Sequence, residues 1–198
     1  MININIFRTF LNGFFRIYCK ILFRAEIKGL ENIPKEGPVI FCGNHVSTLD
    51  AILVEVFTPR KMRFLGKEEI QKNIFLKTIA KTYEMIPVKR DSKDLSSVKE
   101  SLKTLKSGGC LGIFPEGTRN GLEKNNGEMK NGATYLAIKT GASIVPIGIK
   151  GKIKPFHKVT VTYGKKIEYT KYLNQKITKE IEDNTTKQLK EAIIELTK

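Results

Sequence analysis

Apolar and polar positions along the chain fall into two rhythms. Over residues 6–22, at 100° per residue, Arg8, Thr9, Asn12, Arg16 and Lys20 share an arc from about 80° to 200°. Phe7, Phe10, Leu11, Phe14, Phe15, Ile17, Tyr18, Ile21 and Leu22 fill the opposite side. That separation predicts an amphipathic helix, weakened slightly by Gly13. Residues 28–38 (KGLENIPKEGP) read as a polar connector rich in Pro and Gly. Beyond it, short apolar runs alternate with longer amphipathic ones. The pattern predicts strands at 39–42, 62–65, 85–88, 110–114, 144–149 and 159–163. It predicts helices at 50–57, 70–81, 95–106, 132–140 and 177–198. Gly108–Gly109 and Gly141 close two of these helices, and Pro87 limits the ladder of its strand. The alternation predicts an α/β fold. A single domain over 28–198 has a mostly central β-sheet flanked by helices, and the helical segment 1–27 precedes it.

The first segment carries no acid before Glu26 and holds Phe7, Phe10, Phe14, Phe15, Tyr18 and Phe23. Its apolar run is broken by Arg8, Arg16, Lys20 and Arg24, short of the 18 or so residues that span a bilayer. No small-residue cleavage site follows a compact apolar core, so a secretory signal is not expected. One wide apolar face and a narrow basic face describe a helix lying in a membrane interface. There, each cation near an anionic leaflet adds on the order of 1 kcal/mol. The alternative is a first helix packed on the domain's own core.

Composition narrows the classes. With 198 residues the chain is one ordinary domain, able to bury roughly two thirds of its surface. At 40% hydrophobic and 28% charged residues, disorder and collagen are excluded. Lys and Arg number 35 against 20 Asp and Glu, a net charge of +15. The partner is therefore expected to be an anion: phosphate groups, nucleic acid or an acidic membrane. Cys19, Cys42 and Cys110 are odd in number and scattered, which suits a reducing compartment. With only His45 and His157, most multi-histidine metal sites are excluded.

His45 follows the first strand of the domain in GNHVSTLDAI, with Asp50 five positions later. If His45 lies in the turn and Ser47 caps the helix, Asp50 in the first turn reaches back to the imidazole. A carboxylate on one ring nitrogen fixes the tautomer and leaves the other nitrogen free as a base. The second constellation, Phe114-Pro115-Glu116-Gly117-Thr118-Arg119, directly follows a strand. It offers backbone N–H groups, a hydroxyl and a guanidinium to a phosphate, or else a plain loop with a local Glu116–Arg119 ion pair. Gly112 and Gly117 have P-loop spacing, but Thr118-Arg119 replaces the required Lys-Ser/Thr, which excludes nucleotide hydrolysis. Ile86 to Arg90 ends in two cations, and Lys67 stands near another strand end.

In order, these blocks resemble the glycerolipid acyltransferase family, specifically its 1-acylglycerol-3-phosphate acyltransferases. Asn44-His45 and Asp50 match the first block, an asparagine-histidine, four variable residues and an aspartate. Ile86 to Arg90 match the second, Phe114 to Arg119 complete the third, and Val145 to Ile149 match the apolar fourth. The resemblance covers residues 25–165. Tyr83, Glu84 and Met85 stand where the family has a glycine, and Asn120 replaces a serine.

The resemblance implies transfer of an acyl group from coenzyme A or acyl carrier protein to lysophosphatidic acid. His45 would be the base and Asp50 its orienting acid. Arg119, Arg90 and Lys67 would hold the acceptor phosphate in a pocket shaped by Glu116, Gly117 and Thr118. No metal or cofactor is implied. The expected location is the cytoplasmic face of the cell membrane, peripheral or monotopic, against an anionic lipid surface. The alternative acceptors are glycerol 3-phosphate or another lysophospholipid. Cys42 is an alternative nucleophile, disfavoured in a buried strand. The net charge also admits a nucleic-acid-binding module, but no helix-turn-helix, zinc or RNA-recognition signature supports specific nucleic acid as a partner.

Overall fold

A computed structural model describes residues 4–89, 94–119 and 128–198. The strands are β1 (Glu26–Lys28), β2 (Val39–Gly43), β3 (Met62–Lys67), β4 (Ile86–Val88), β5 (Cys110–Ile113), β6 (Ser143–Gly151) and β7 (Val159–Tyr163). They form one sheet in the order β1-β7-β6-β2-β5-β3-β4, parallel at every junction except β6 with β7. The helices are α1 (Ile4–Leu22), α2 (Asp50–Phe57), α3 (Ile74–Thr82), α4 (Leu95–Lys106), α5 (Gly132–Thr140) and α6 (Lys179–Glu195).

Strand β2 is buried at every position, so it reads as an unbroken apolar run. The two-residue period still divides it. Val39 and Phe41 face a core built with Leu53, Val54 and Phe57 of α2. Ile40 and Cys42 face a second core with Leu105 of α4, Leu136 and Ala137 of α5, and Leu189 and Ile193 of α6. Tyr163 and Thr58 close α2: Thr58 Oγ1 donates to Val54 O at 2.7 Å and lies 2.8 Å from the Tyr163 hydroxyl.

Elements with strong end signals fall where the periodicity places them. Helix α4 starts at Asp94, whose carboxylate accepts from Ser96 N and Ser97 N, and ends before Gly108–Gly109. Helices α2 and α5 and strand β7 also match. The run expected as one helix over 70–81 is instead a 3-10 turn at Glu68–Lys72 followed by α3. Asn73 is the reason: its Oδ1 accepts from Leu76 N at 3.2 Å and opens a new helix. Strand β1 is missing from the expected pattern. Three residues are too short to show a period, and they pair with Thr160–Thr162 far along the chain.

Helix α1 leaves an apolar stripe outside. Ile6, Phe10, Phe14, Ile17 and Ile21 are exposed by 57% to 70%. Of the polar arc, Arg8, Asn12 and Arg16 reach the protein, while Thr9 and Lys20 are exposed. Arg8 is buried; its Nε and Nη2 donate to Glu55 Oε1 at 3.0 and 2.7 Å, and Nη2 also to Met62 O at 2.8 Å. Arg16 Nε donates to Val56 O, and the Tyr83 hydroxyl to Asn12 Oδ1. The expectation that these cations meet lipid head groups is thus corrected for Arg8, while the alternative of a first helix packed on the domain's own core holds for Cys19, Phe15 and Leu22, which join that core. A guanidinium is buried when a carboxylate and a carbonyl satisfy its donors. Among the described residues, no helix is long and apolar enough to cross a membrane.

Candidate active site

Strands β2, β5, β3 and β4 are parallel neighbours, so their C-terminal ends share one edge of the sheet. Ligand sites of open α/β sheets lie at that edge. His45 follows β2 there, the Phe114–Arg119 turn follows β5, Lys67 ends β3 and Lys89 follows β4.

His45 Nδ1 lies 2.7 Å from Asp50 Oδ2. A carboxylate only accepts, so Nδ1 carries the proton and Nε2 presents a lone pair. The same Oδ2 accepts from Val46 N at 2.7 Å and Ser47 N at 2.8 Å. Asp50 is fully buried at the first position of α2, where the helix dipole favours a negative charge. The expected capping arrangement is therefore corrected. Leu49 rather than Ser47 stands at the N-cap of α2, Ser47 Oγ accepts from Leu49 N, and the acid itself gathers the upstream N–H groups.

Three further contacts fix the histidine. Its backbone N–H donates to Glu116 Oε1 at 2.9 Å, which joins the first block to the third. Its ring stacks on Phe114, with centroids 4.4 Å apart and planes at 14°, and Phe114 stacks on Phe64 at 5.9 Å. Gly112 makes that stack possible: a Cβ there would lie 2.3 Å from the Phe64 ring. Asn44 clamps the preceding position to β6, donating to Ile149 O at 2.9 Å and accepting from Ile149 N at 2.7 Å. The roles of Phe64, Phe114 and Asn44 were not legible in the sequence.

The turn after β5 is built on Gly117, whose φ of +66° suits glycine. Gly117 N donates to Phe114 O at 3.1 Å. Arg119 Nη1 donates to Thr48 Oγ1 at 3.0 Å, which brings the guanidinium to the loop that carries His45. Thr118 is half-buried in the same turn. Lys67 is exposed at the shared edge, without a hydrogen bond to the His45–Asp50 pair. Arg90 and Asn120 lie outside the described residues. Cys42 is fully buried, and burial pushes its thiol far above the usual range, so no thiolate forms there. His157 is an exposed residue near Pro155 O.

The family model for acyltransferases matches residues 24–150. A 1-acyl-sn-glycerol-3-phosphate acyltransferase of Borreliella burgdorferi is 32% identical over 61% of this chain and 49% of its own length. The Bacillus subtilis protein of the same name is 29% identical over 64% of this chain and 63% of its own length. The chain spans about half the length of the curated relatives it matches. The solved 1-acyl-sn-glycerophosphate (LPA) acyltransferase of Thermotoga maritima has the same fold, with a TM-score of 0.72 and 22% identity. That match covers 99% of this chain and 83% of the other. The matched family span contains both the His45–Asp50 pair and the Phe114–Arg119 turn, and the chain belongs to the acyltransferase family.

Proposed function

We propose that the protein moves an acyl group from an acyl thioester, on coenzyme A or acyl carrier protein, to the sn-2 hydroxyl of 1-acylglycerol-3-phosphate. The product is phosphatidic acid. The 2.7 Å contact of His45 Nδ1 with buried Asp50, beside a turn bearing Arg119, carries this reading. The names of the relatives supply the substrate class.

Nε2 of His45 takes the hydroxyl proton as the alcohol oxygen bonds to the thioester carbonyl carbon. The adduct collapses, the C–S bond breaks, and the imidazolium returns its proton to the departing thiolate. Asp50 holds the ring and stabilises the imidazolium. Base catalysis of this kind contributes about 10² to 10⁴ in rate, and positioning supplies the rest. Arg119, Lys67 and Arg90 hold the phosphate. Glu116 fixes the histidine backbone, and Gly117 and Thr118 line the turn.

In this reading the protein is peripheral, on the cytoplasmic leaflet. The outward apolar face of α1 dips among the lipids while its polar face stays riveted to α2. The buried free thiols Cys19, Cys42 and Cys110 suit that side.

The test is an assay of purified enzyme with both thioesters against lysophosphatidate and glycerol 3-phosphate. We expect thiol release to match phosphatidic acid formed, with lysophosphatidate preferred. Thiol release without an acylated phosphate ester overturns the reading. A Phe10→Ser, Phe14→Ser, Ile21→Ser variant should fold normally yet leave vesicles, because each buried side chain contributes about 1.5–3 kcal/mol. Undiminished sedimentation with vesicles would remove α1 as the seat.

A further inference from the structure

Lys130 belongs to none of the blocks that the sequence singles out. The structure nevertheless lays it on the third of them. Its backbone N–H donates to Pro115 O at 2.9 Å. Its side chain crosses Gly117, so that a Cβ on Gly117 would lie 2.9 Å from Lys130 Cε and 3.3 Å from Nζ. Gly117 is favoured for its positive φ, and its missing side chain leaves the space that this lysine crosses. The neighbouring Glu116 holds His45 N, and Arg119, two residues further on, reaches Thr48. Ammonium, guanidinium and imidazole thus surround one short turn. Among the described residues, the ion pairs of this chain leave Lys130 without a carboxylate within 4.0 Å.

We infer that Lys130 is a further cation for the acceptor's phosphate monoester, acting with Arg119 across Gly117 and setting preference for phosphorylated acceptors. This rests on the proposed acyl transfer. A phosphate monoester carries close to two charges at neutral pH and three acceptor oxygens, more than one guanidinium satisfies. Backbone anchoring at Pro115 places the exposed lysine stem over Gly117, beside the turn that bears Arg119.

Lys130→Met keeps the methylene stem over Gly117 and removes the charge. With detergent-dispersed lysophosphatidate, the acceptor KM should rise about tenfold while kcat and the donor KM stay within about twofold. Lys130→Arg should recover most of the loss. Lys103→Met, at the far end of α4, should change nothing. An unchanged acceptor KM in a folded Lys130→Met protein overturns the inference. So does a defect that appears only on anionic vesicles, since Lys130 then meets the bilayer rather than the acceptor. Failure of Lys130→Arg to recover activity also overturns it. If the wild type turns over lysophosphatidate and Lys130→Met is normal, Lys130 alone is removed. If the wild type acylates no phosphorylated acceptor, both readings are lost.

Discussion

Asp50 and Glu55 are buried carboxylates on the same short helix, and they do different things. Each uses one oxygen: Asp50 Oδ2 meets His45, Val46 N and Ser47 N, and Glu55 Oε1 meets Arg8 and Asn12. In each, the second oxygen is buried without a hydrogen bond among the described residues. The partners make the difference. Asp50 faces an imidazole whose side chain is 22% exposed and whose other ring nitrogen can accept a proton. Glu55 faces a guanidinium that stays charged and is sealed with it, the two side chains being 5% and 3% exposed. In the proposed reading, burial of an acid serves chemistry only where its partner can accept a proton and a substrate can reach it. Otherwise the same burial yields a fastening, here between α1 and α2.

The comparison breaks first at the His45–Asp50 end. His45→Ala should lower kcat by about 10² to 10⁴ or more, while unfolding free energy falls by no more than about 1 kcal/mol. Asp50→Asn should lose comparable activity, because the amide no longer selects the Nδ1–H tautomer. Steady-state kinetics with urea unfolding checks both. Near-normal turnover in either variant would reduce this pair to the status of the other.

At the other end the effect should fall on stability. Arg8→Met leaves a buried carboxylate without its charge partner and should cost about 3–5 kcal/mol in urea unfolding. The Arg8→Met, Glu55→Met double variant should recover most of that loss, since a buried ion pair is often replaceable by apolar packing. The kcat of the folded fraction should stay within about threefold of wild type. A stable Arg8→Met protein with lost kcat would instead make this pair part of the catalytic apparatus.

What the sequence disclosed tracks how local each contact is. His45 and Asp50 are five residues apart, so their meeting was legible from the strand, the turn and the helix start. Helix α4 was legible from its period and from Gly108–Gly109 at its close, while the Asp94 cap at its start emerged only in the structure. The amphipathic pattern of α1 was equally clear, but the partners of Arg8 are Glu55 and Met62, 47 and 54 residues away, so its orientation was not. The Glu116 contact with His45 N spans 71 residues, and no spacing rule reaches across it. Lys130 returns to the turn through a segment with no apolar period, and only the space left by Gly117 reveals it.

The smallest effect sharpens the comparison through pH. Burial raises the Glu55 carboxyl above its usual 4.5, more than Arg8 and Asn12 lower it. The folded state therefore holds that proton more tightly than the unfolded chain. Between the ordinary carboxylate value and the raised folded one, native protein binds more protons, so this group's contribution falls as pH rises through that window and is fully favourable below it. The slope from one such group is at most about 1.4 kcal/mol per pH unit. Glu55→Gln keeps the shape and an acceptor for Arg8 but removes the titration. The difference in urea stability between wild type and Glu55→Gln should drift against wild type on raising the pH through the window, then level off. Activity should keep the same pH profile in both proteins. A flat difference would mean that Arg8 offsets the burial of Glu55 in full. Then the two carboxylates of α2 would differ only in what their partners can exchange, and not in how costly their own charges are.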